Sequence, residues 1–153
     1  MSINQIQDEI IEEFELLDEW IDRYQLLVDY GMALKKQPEW LPEAEQTKQN
    51  LIDGCQSQVW FTAKTATDEQ GRQIIVYRGA SDAILVKGIV ALLLRVLSGH
   101  TAKEIVDADL YFIDRVGLRE HLSPTRSNGI AAMLKQMKLY ALALSSSSSS
   151  SEV

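Results

Sequence analysis

Apolar residues recur three or four positions apart at the start of the chain, at Ile3, Ile6, Ile10, Phe14, Leu17, Ile21, Tyr24 and Val28, with Asp and Glu filling positions between them. That spacing predicts an amphipathic helical face. Asp18 is a candidate N-cap for a second helix from Glu19, so the pattern predicts two helices with a bend between them, ending near Gly31. Pro38 and Pro42 then impose extended or turn geometry, because each fixes its own φ and disfavours the α region for the residue before it. From Gln58 the period falls to two: Val59, Phe61, Ala63 and Thr65 lie on one side, Trp60, Thr62 and Lys64 on the other. Residues 68–71 carry turn chemistry, and residues 73–78 are rich in β-branched and aromatic side chains. The two runs are therefore expected to pair as an antiparallel hairpin. A further strand beside them has no defined place in the pattern.

Residues 79–81 close the hairpin, and Ser81 is a candidate N-cap for a helix over 82–97. That helix is apolar nearly all round apart from Asp82, Lys87 and Arg95, the signature of burial on most sides. Lys87 is expected to snorkel there. Ser98 and Gly99 end the helix, and Thr101 with Glu104 has capping-box spacing for a short helix. Irregular structure is expected through Tyr111, Phe112 and Gly117. Ser123 followed by Pro124 then announces a last helix over about 125–143, with Ile130, Met133, Leu134, Met137 and Leu144 facing inward. The serine run 145–151 cannot bury a core, so 145–153 is expected to be a flexible tail. The expectation is an α+β fold in one domain over 1–144, a small antiparallel sheet packed against several helices.

Composition narrows the function classes. At 153 residues, 46% hydrophobic and 24% charged, the chain has the make-up of one soluble globular domain. The net charge of −7, with no dense run among the 15 basic residues, argues against a nucleic-acid partner. The first residues lack the basic and apolar regions of a secretory signal, and the apolar segment 88–94 falls far short of the roughly 20 residues that cross a bilayer, so a cytoplasmic location without membrane contact is expected. A single cysteine can form no internal disulfide, nor can it supply the several thiolates of an iron–sulfur or structural zinc site. No metal or directly bound cofactor is expected.

Cys55 is the remaining candidate for chemistry. It follows Gly54, which accepts backbone angles closed to other residues, and precedes Gln56, Ser57 and Gln58, neutral hydrogen-bonders that hold a loop without adding charge. Such a loop can present a thiol to another molecule. A small buried hydrophobe is the bland alternative. The run Gly54-Cys55-Gln56-Ser57-Gln58-Val59-Trp60 resembles the signature of the SufE family of sulfur acceptors. Ser81-Asp82-Ala83 through Val86-Lys87-Gly88, and His121-Leu122-Ser123-Pro124-Thr125-Arg126-Ser127-Asn128-Gly129, resemble two further blocks of that family in order and spacing, and the resemblance spans about 10–143. Ala80 departs from it, standing where many relatives carry an acidic residue, and the hairpin at 65–71 is slightly longer.

The resemblance implies a SufE/IscU-like fold and a sulfur carrier that accepts a persulfide on Cys55 from a pyridoxal-phosphate cysteine desulfurase of the SufS type. It further implies that the carrier stimulates that enzyme and supplies a downstream iron–sulfur scaffold. The pyridoxal phosphate belongs to the partner, so the chain is a transpersulfidation partner rather than a stand-alone enzyme. Arg126, in the first turn of the last helix and in a matched block, could hold the thiolate or the incoming persulfide, or could pair with a surface carboxylate or cap a loop. Asp82 suits a helix N-terminus, with partner contact or guarding of the cysteine loop as alternatives. His121 is expected to cap or pack rather than to serve as a base, His100 to sit at a helix end, and Trp60 to pack in the core. An iron–sulfur scaffold, a thiol peroxidase or hydrolase, and a purely structural interaction module remain the rival classes.

Overall fold

The first helix, α1 (Ile3–Glu15), begins in a capping box: the Ser2 hydroxyl accepts the Gln5 N–H at 3.1 Å while the Gln5 side chain accepts the Ser2 N–H at 2.8 Å. Residues 1–151 are described by the structure, a computed structural model. The chain bends at 16–19 as the pattern predicts and restarts as α2 (Trp20–Leu34). Glu19 rather than Asp18 occupies the N-cap, without a side-chain bond, and α2 runs past Gly31 to Leu34. The bend also breaks the phase of the apolar stripe. Leu27, Gly31 and Leu34 are the buried positions of α2, whereas Ile21 is 75% exposed.

Strands β1 (Val59–Thr67) and β2 (Gln73–Ser81) form the expected antiparallel hairpin, in register from Val59↔Ser81 to Thr67↔Gln73. Among the described residues the sheet has these two strands, and isolated bridges extend its edges: Leu51↔Trp60 beside β1, Trp40↔Gly79 and Ile75↔His100 beside β2. Trp60 packs in a small cluster with Leu41 and Ala80, each buried. Ala80 is fully enclosed in that cluster.

The ladder extends to Ser81, so this residue ends a strand instead of capping a helix. Helix α3 (Ile84–Leu97) therefore starts later than 82, with Ala83 at its N-cap. From Val86 to Leu97 it is buried on most sides. It crosses α2 where both lack a side chain: a Cβ on Gly88 would lie 2.1 Å from the Leu27 carbonyl oxygen, and one on Gly31 would lie 2.7 Å from Lys87 Cβ. Arg95 on α3 closes this layer with a bidentate pair to Glu13 (2.6 and 2.9 Å) and a longer contact to Glu9, while the Tyr30 hydroxyl donates to the same Glu13 carboxylate.

Helix α4 (Ala102–Asp107) has the expected Thr101–Glu104 capping box. Where irregular structure is expected, the chain forms two single turns, α5 (Phe112–Arg115) and α6 (Leu118–His121), burying Phe112, Ile113 and Leu118. Their apolar content is too short to show a helical period. Helix α7 (Pro124–Ser151) buries Ile130, Met133, Met137 and Ala141, with Leu134 and Leu144 packed against the core. Its backbone stays helical through Ser151, across most of the stretch for which a flexible tail is expected, since each added turn needs only propagation from the one before. Residues 152 and 153 of that tail lie outside the described residues. The Tyr77 hydroxyl donates to the Met137 carbonyl at 2.6 Å in the interior, fixing α7 to the sheet. Among the described residues no helix is long and apolar enough to cross a membrane.

Candidate functional site

Residues 53–58 form a loop that leaves and rejoins the sheet edge. Its base is closed by the Ile52 N–H donating to the Val59 carbonyl at 2.8 Å. Gln58 is held from the other strand: its N–H donates to Asp82 Oδ1 at 3.1 Å, and its carbonyl accepts from the Asp82 N–H at 3.3 Å and the Ser81 hydroxyl at 2.8 Å. The Ser81 oxygen also accepts the Ala83 N–H at 3.2 Å. The Ser-Asp pair thus ties the far end of the cysteine loop. Asp82 precedes the α3 N-cap, so the expected placement within the helix's first turn gives way to this one.

Gly54 takes φ +90°, a left-handed conformation that favours glycine, and a Cβ there would lie 3.2 Å from Ala132 Cβ on α7. The turn points Cys55 back toward the helix. The thiol is half-buried, and Sγ lies 3.6 Å from the Gly129 carbonyl oxygen, to which its S–H donates a weak hydrogen bond. Cys55 lines a cavity of about 70 Å³ with apolar walls from Val59, Val86, Ile89 and Met133 and a polar mouth from Gln56, Ser57 and Arg126. Burial pushes the Cys55 thiol above its ordinary pKa. A larger groove of about 490 Å³ lies between α2, α3 and β2, lined by residues including Leu34, Val76 and Leu94. Cys55 does not line it, so the smaller cavity is the one relevant to thiol chemistry.

The structure brings Gly54, Cys55, Gln56 and Arg126 together and places Asp82 at the loop's base. Ser123 provides the expected cap, its hydroxyl accepting the Arg126 N–H at 3.3 Å. The Arg126 side chain is exposed at the cavity mouth and makes no ion pair among the described residues. His121 packs: its ring stacks on Trp20 at 3.7 Å, and its carbonyl accepts the Tyr24 hydroxyl at 2.6 Å. His100 Nε2 lies 3.1 Å from the Met1 carbonyl, and its ring faces the end of α3. Lys87 is half-buried at the α2–α3 crossing. The wall residues Val86, Ile89, Gly129 and Met133 were not legible as site residues. The signal that could have found two of them is that Val86 and Gly129 stand inside the blocks that resemble the family. Among the described residues no group of His, Cys, Asp and Glu is arranged to hold a metal ion.

The sequence profile of the SufE family, described as an Fe–S metabolism associated domain, matches residues 8–141. This chain belongs to the SufE family. It is 41% identical over 132 residues to an uncharacterized SufE-like protein of Rhizobium meliloti, covering 86% of this chain and 91% of that one. It is 42% identical to an uncharacterized SufE-like protein of Rhizobium etli, covering 86% of each. A hypothetical protein from Thermus thermophilus, solved in solution, shares the fold at a TM-score of 0.68 and 22% identity, over 92% of this SufE chain and 96% of its own. The mixed α+β architecture and the SufE membership expected from the three sequence blocks both hold.

Proposed function

We propose that this SufE-family protein is a cytoplasmic sulfur carrier that takes sulfur as a persulfide on Cys55 from a cysteine desulfurase of the SufS type, and passes it to an iron–sulfur scaffold. The observation that carries this reading is the seat of Cys55: the chain's one thiol sits on a loop leading into β1, at a small cavity whose mouth holds a guanidinium without an ion-pair partner among the described residues. Family membership in Fe–S metabolism supplies the class of chemistry.

The transfer is a thiol exchange. The Cys55 thiolate attacks the outer sulfur of a donor persulfide, R–S–SH. A new sulfur–sulfur bond forms as the donor's bond breaks, the donor's inner sulfur leaves with the electron pair as a thiolate, and the proton stays on the transferred sulfur. Nothing is oxidised or reduced overall. One cysteine on each protein suffices, and the chemistry that breaks the carbon–sulfur bond would be supplied by the partner's pyridoxal phosphate. Arg126 offsets negative charge on the thiolate or incoming persulfide. Delivery requires the Gly54 turn to let Cys55 leave the α7 face, and the partner is thereby stimulated, because its own thiol is cleared. A scaffold would need about three thiolate or imidazole ligands close together; this chain has one cysteine and two histidines, and both histidines are engaged elsewhere.

Incubation with a cysteine desulfurase, cysteine and pyridoxal phosphate is expected to add the mass of one sulfur atom to the intact protein, reversibly by reductant, and to add nothing to Cys55→Ser. No mass gain on the wild type, or the same gain on Cys55→Ser, would refute the role.

A further inference from the structure

The seat of Cys55 is built for an uncharged sulfur. Three features define it. Sγ faces the Gly129 carbonyl oxygen at 3.6 Å, a contact that attracts an S–H and repels a sulfur anion. The side walls, Val59, Val86, Ile89 and Met133, carry no side-chain group that could hydrogen-bond to an anion. The loop lies close against α7: a Cβ on Gly129 would be 3.6 Å from Sγ and one on Gly54 would be 3.2 Å from Ala132 Cβ. The cation in reach is at the rim: Arg126 is exposed and lines the mouth beside Gln56.

We infer that charge on the sulfur sets the position of the loop: a neutral thiol holds residues 53–58 against α7, and ionisation, or conversion to an ionised persulfide, releases them toward Arg126 and solvent. The inference rests on the carrier role for its persulfide arm but not for its thiolate arm. A persulfide ionises more readily than a thiol, because the inner sulfur withdraws electron density. Loading would therefore open the loop at neutral pH, while the empty carrier keeps it closed. A loaded carrier is thereby displayed to an acceptor and an empty one is sheltered from oxidation.

The charged groups around Cys55 are few. Asp53 on the loop is exposed, Asp82 is bound to Gln58 at the loop's base, and Arg126 on α7 is at the mouth. From β1 and α3 the cavity is faced by apolar residues, Val59, Val86 and Ile89. The sign follows from the raised thiol pKa. The closed seat contributes its stability fully below the unfolded thiol's pKa, about 8.5, and loses it as pH rises through the higher folded value.

Methyl-detected NMR of the full chain, without any desulfurase, tests this. At about pH 6, below the ordinary thiol range, proton contacts between position 55 and the Met133 and Ile89 methyl groups are expected in the wild type. They should be lost along the same curve as the thiolate ultraviolet absorbance appears, up to about pH 10. Cys55→Ser should keep them throughout, and Cys55→Asp should lack them at neutral pH, with the Leu93 and Ile105 methyl shifts unchanged to certify the core. Retention of the contacts by the ionised wild type, or by Cys55→Asp with an intact core, would overturn the inference. Failure of sulfur uptake in the desulfurase assay would leave this titration readable, so the two claims fail separately.

Discussion

Arg126 and Cys55 show how little of a residue's role its own chemistry decides. The guanidinium is charged in any setting, and its value here comes from exposure at the mouth of the Cys55 cavity without a carboxylate partner among the described residues. Arg126→Ala is expected to slow sulfur uptake by Cys55 roughly tenfold, the equivalent of one charge-assisted contact, while the thermal midpoint stays where it was. Arg126→Lys should recover part of the rate, since it keeps the charge but loses the fork. Timed intact-mass measurements with a desulfurase give the rate, and calorimetry gives the midpoint; an unchanged rate in Arg126→Ala would remove the residue from the transfer step. Cys55 is the converse case. Its nucleophilicity depends on ionisation, and burial in this seat disfavours the thiolate.

At the scale of elements, α3 is the piece on which the loop and both neighbouring layers depend. Val86 and Ile89 face the cavity from its first turns, and two or three turns on it carries Val96 and Leu97 into the core. Its approach to α2 is set by Gly88, where backbone meets backbone. A methyl group 2.1 Å from a carbonyl oxygen cannot be accommodated by turning a side chain, so the helices must separate. Gly88→Ala is therefore expected to destabilise the fold by about 3 kcal/mol despite alanine's better helix propensity. Urea titration followed by circular dichroism measures this; a neutral or stabilised variant would show that the crossing has slack.

The whole molecule is held together by a few long-range polar links laid over an apolar interior. Tyr77 joins the sheet to α7, Gln7 joins α1 to the backbone at Asp109 and Phe112, and Glu13 joins α1 to α2 and α3 through Tyr30 and Arg95. Arg95 foremost, helped by the Tyr30 hydroxyl, holds the Glu13 carboxyl below its ordinary pKa against an opposing effect of burial. The same carboxylate pushes the Arg95 value up, and burial foremost, then this carboxylate, raises that of Tyr30. A depressed carboxyl pKa stabilises the fold above the unfolded value, about 4.3, and that stability is lost as pH falls through the lower folded value. Glu13→Gln should cost about 1 kcal/mol at neutral pH, discounted for the partial exposure of both partners, and should flatten the acid limb of the stability curve. Midpoints of urea unfolding from pH 7 to about pH 3 check this; parallel curves for the two proteins would mean that the link contributes nothing.

Local patterns carried much of this architecture in the sequence. Helical spacing, the bend at 16–19, the hairpin and the Thr101–Glu104 box are short-range effects, decided by residues close to one another along the chain, and they were legible for that reason. Ser81 shows where such legibility ends. Its neighbours permit a helix cap, but the ladder partner Val59, distant in sequence, keeps it in the strand and shifts the start of α3. Ile21 fails likewise, because the bend rotated α2 out of phase with α1. The single-turn helices α5 and α6 were hidden because packing, not periodicity, holds them.

By itself the sequence determined the thiol, the glycine before it, the element types and the SufE family, since these are properties of residue identity and near-neighbour spacing. Only the tertiary structure decided that the inward-turned Cys55 meets the Gly129 carbonyl, that Arg126 lies at the mouth, and that Asp82 moors the loop instead of capping a helix. Those outcomes join residues on different elements, up to 74 positions apart. Such contacts are fixed when α3, α7 and the hairpin bury their apolar faces against one another, a collective choice that no local pattern encodes.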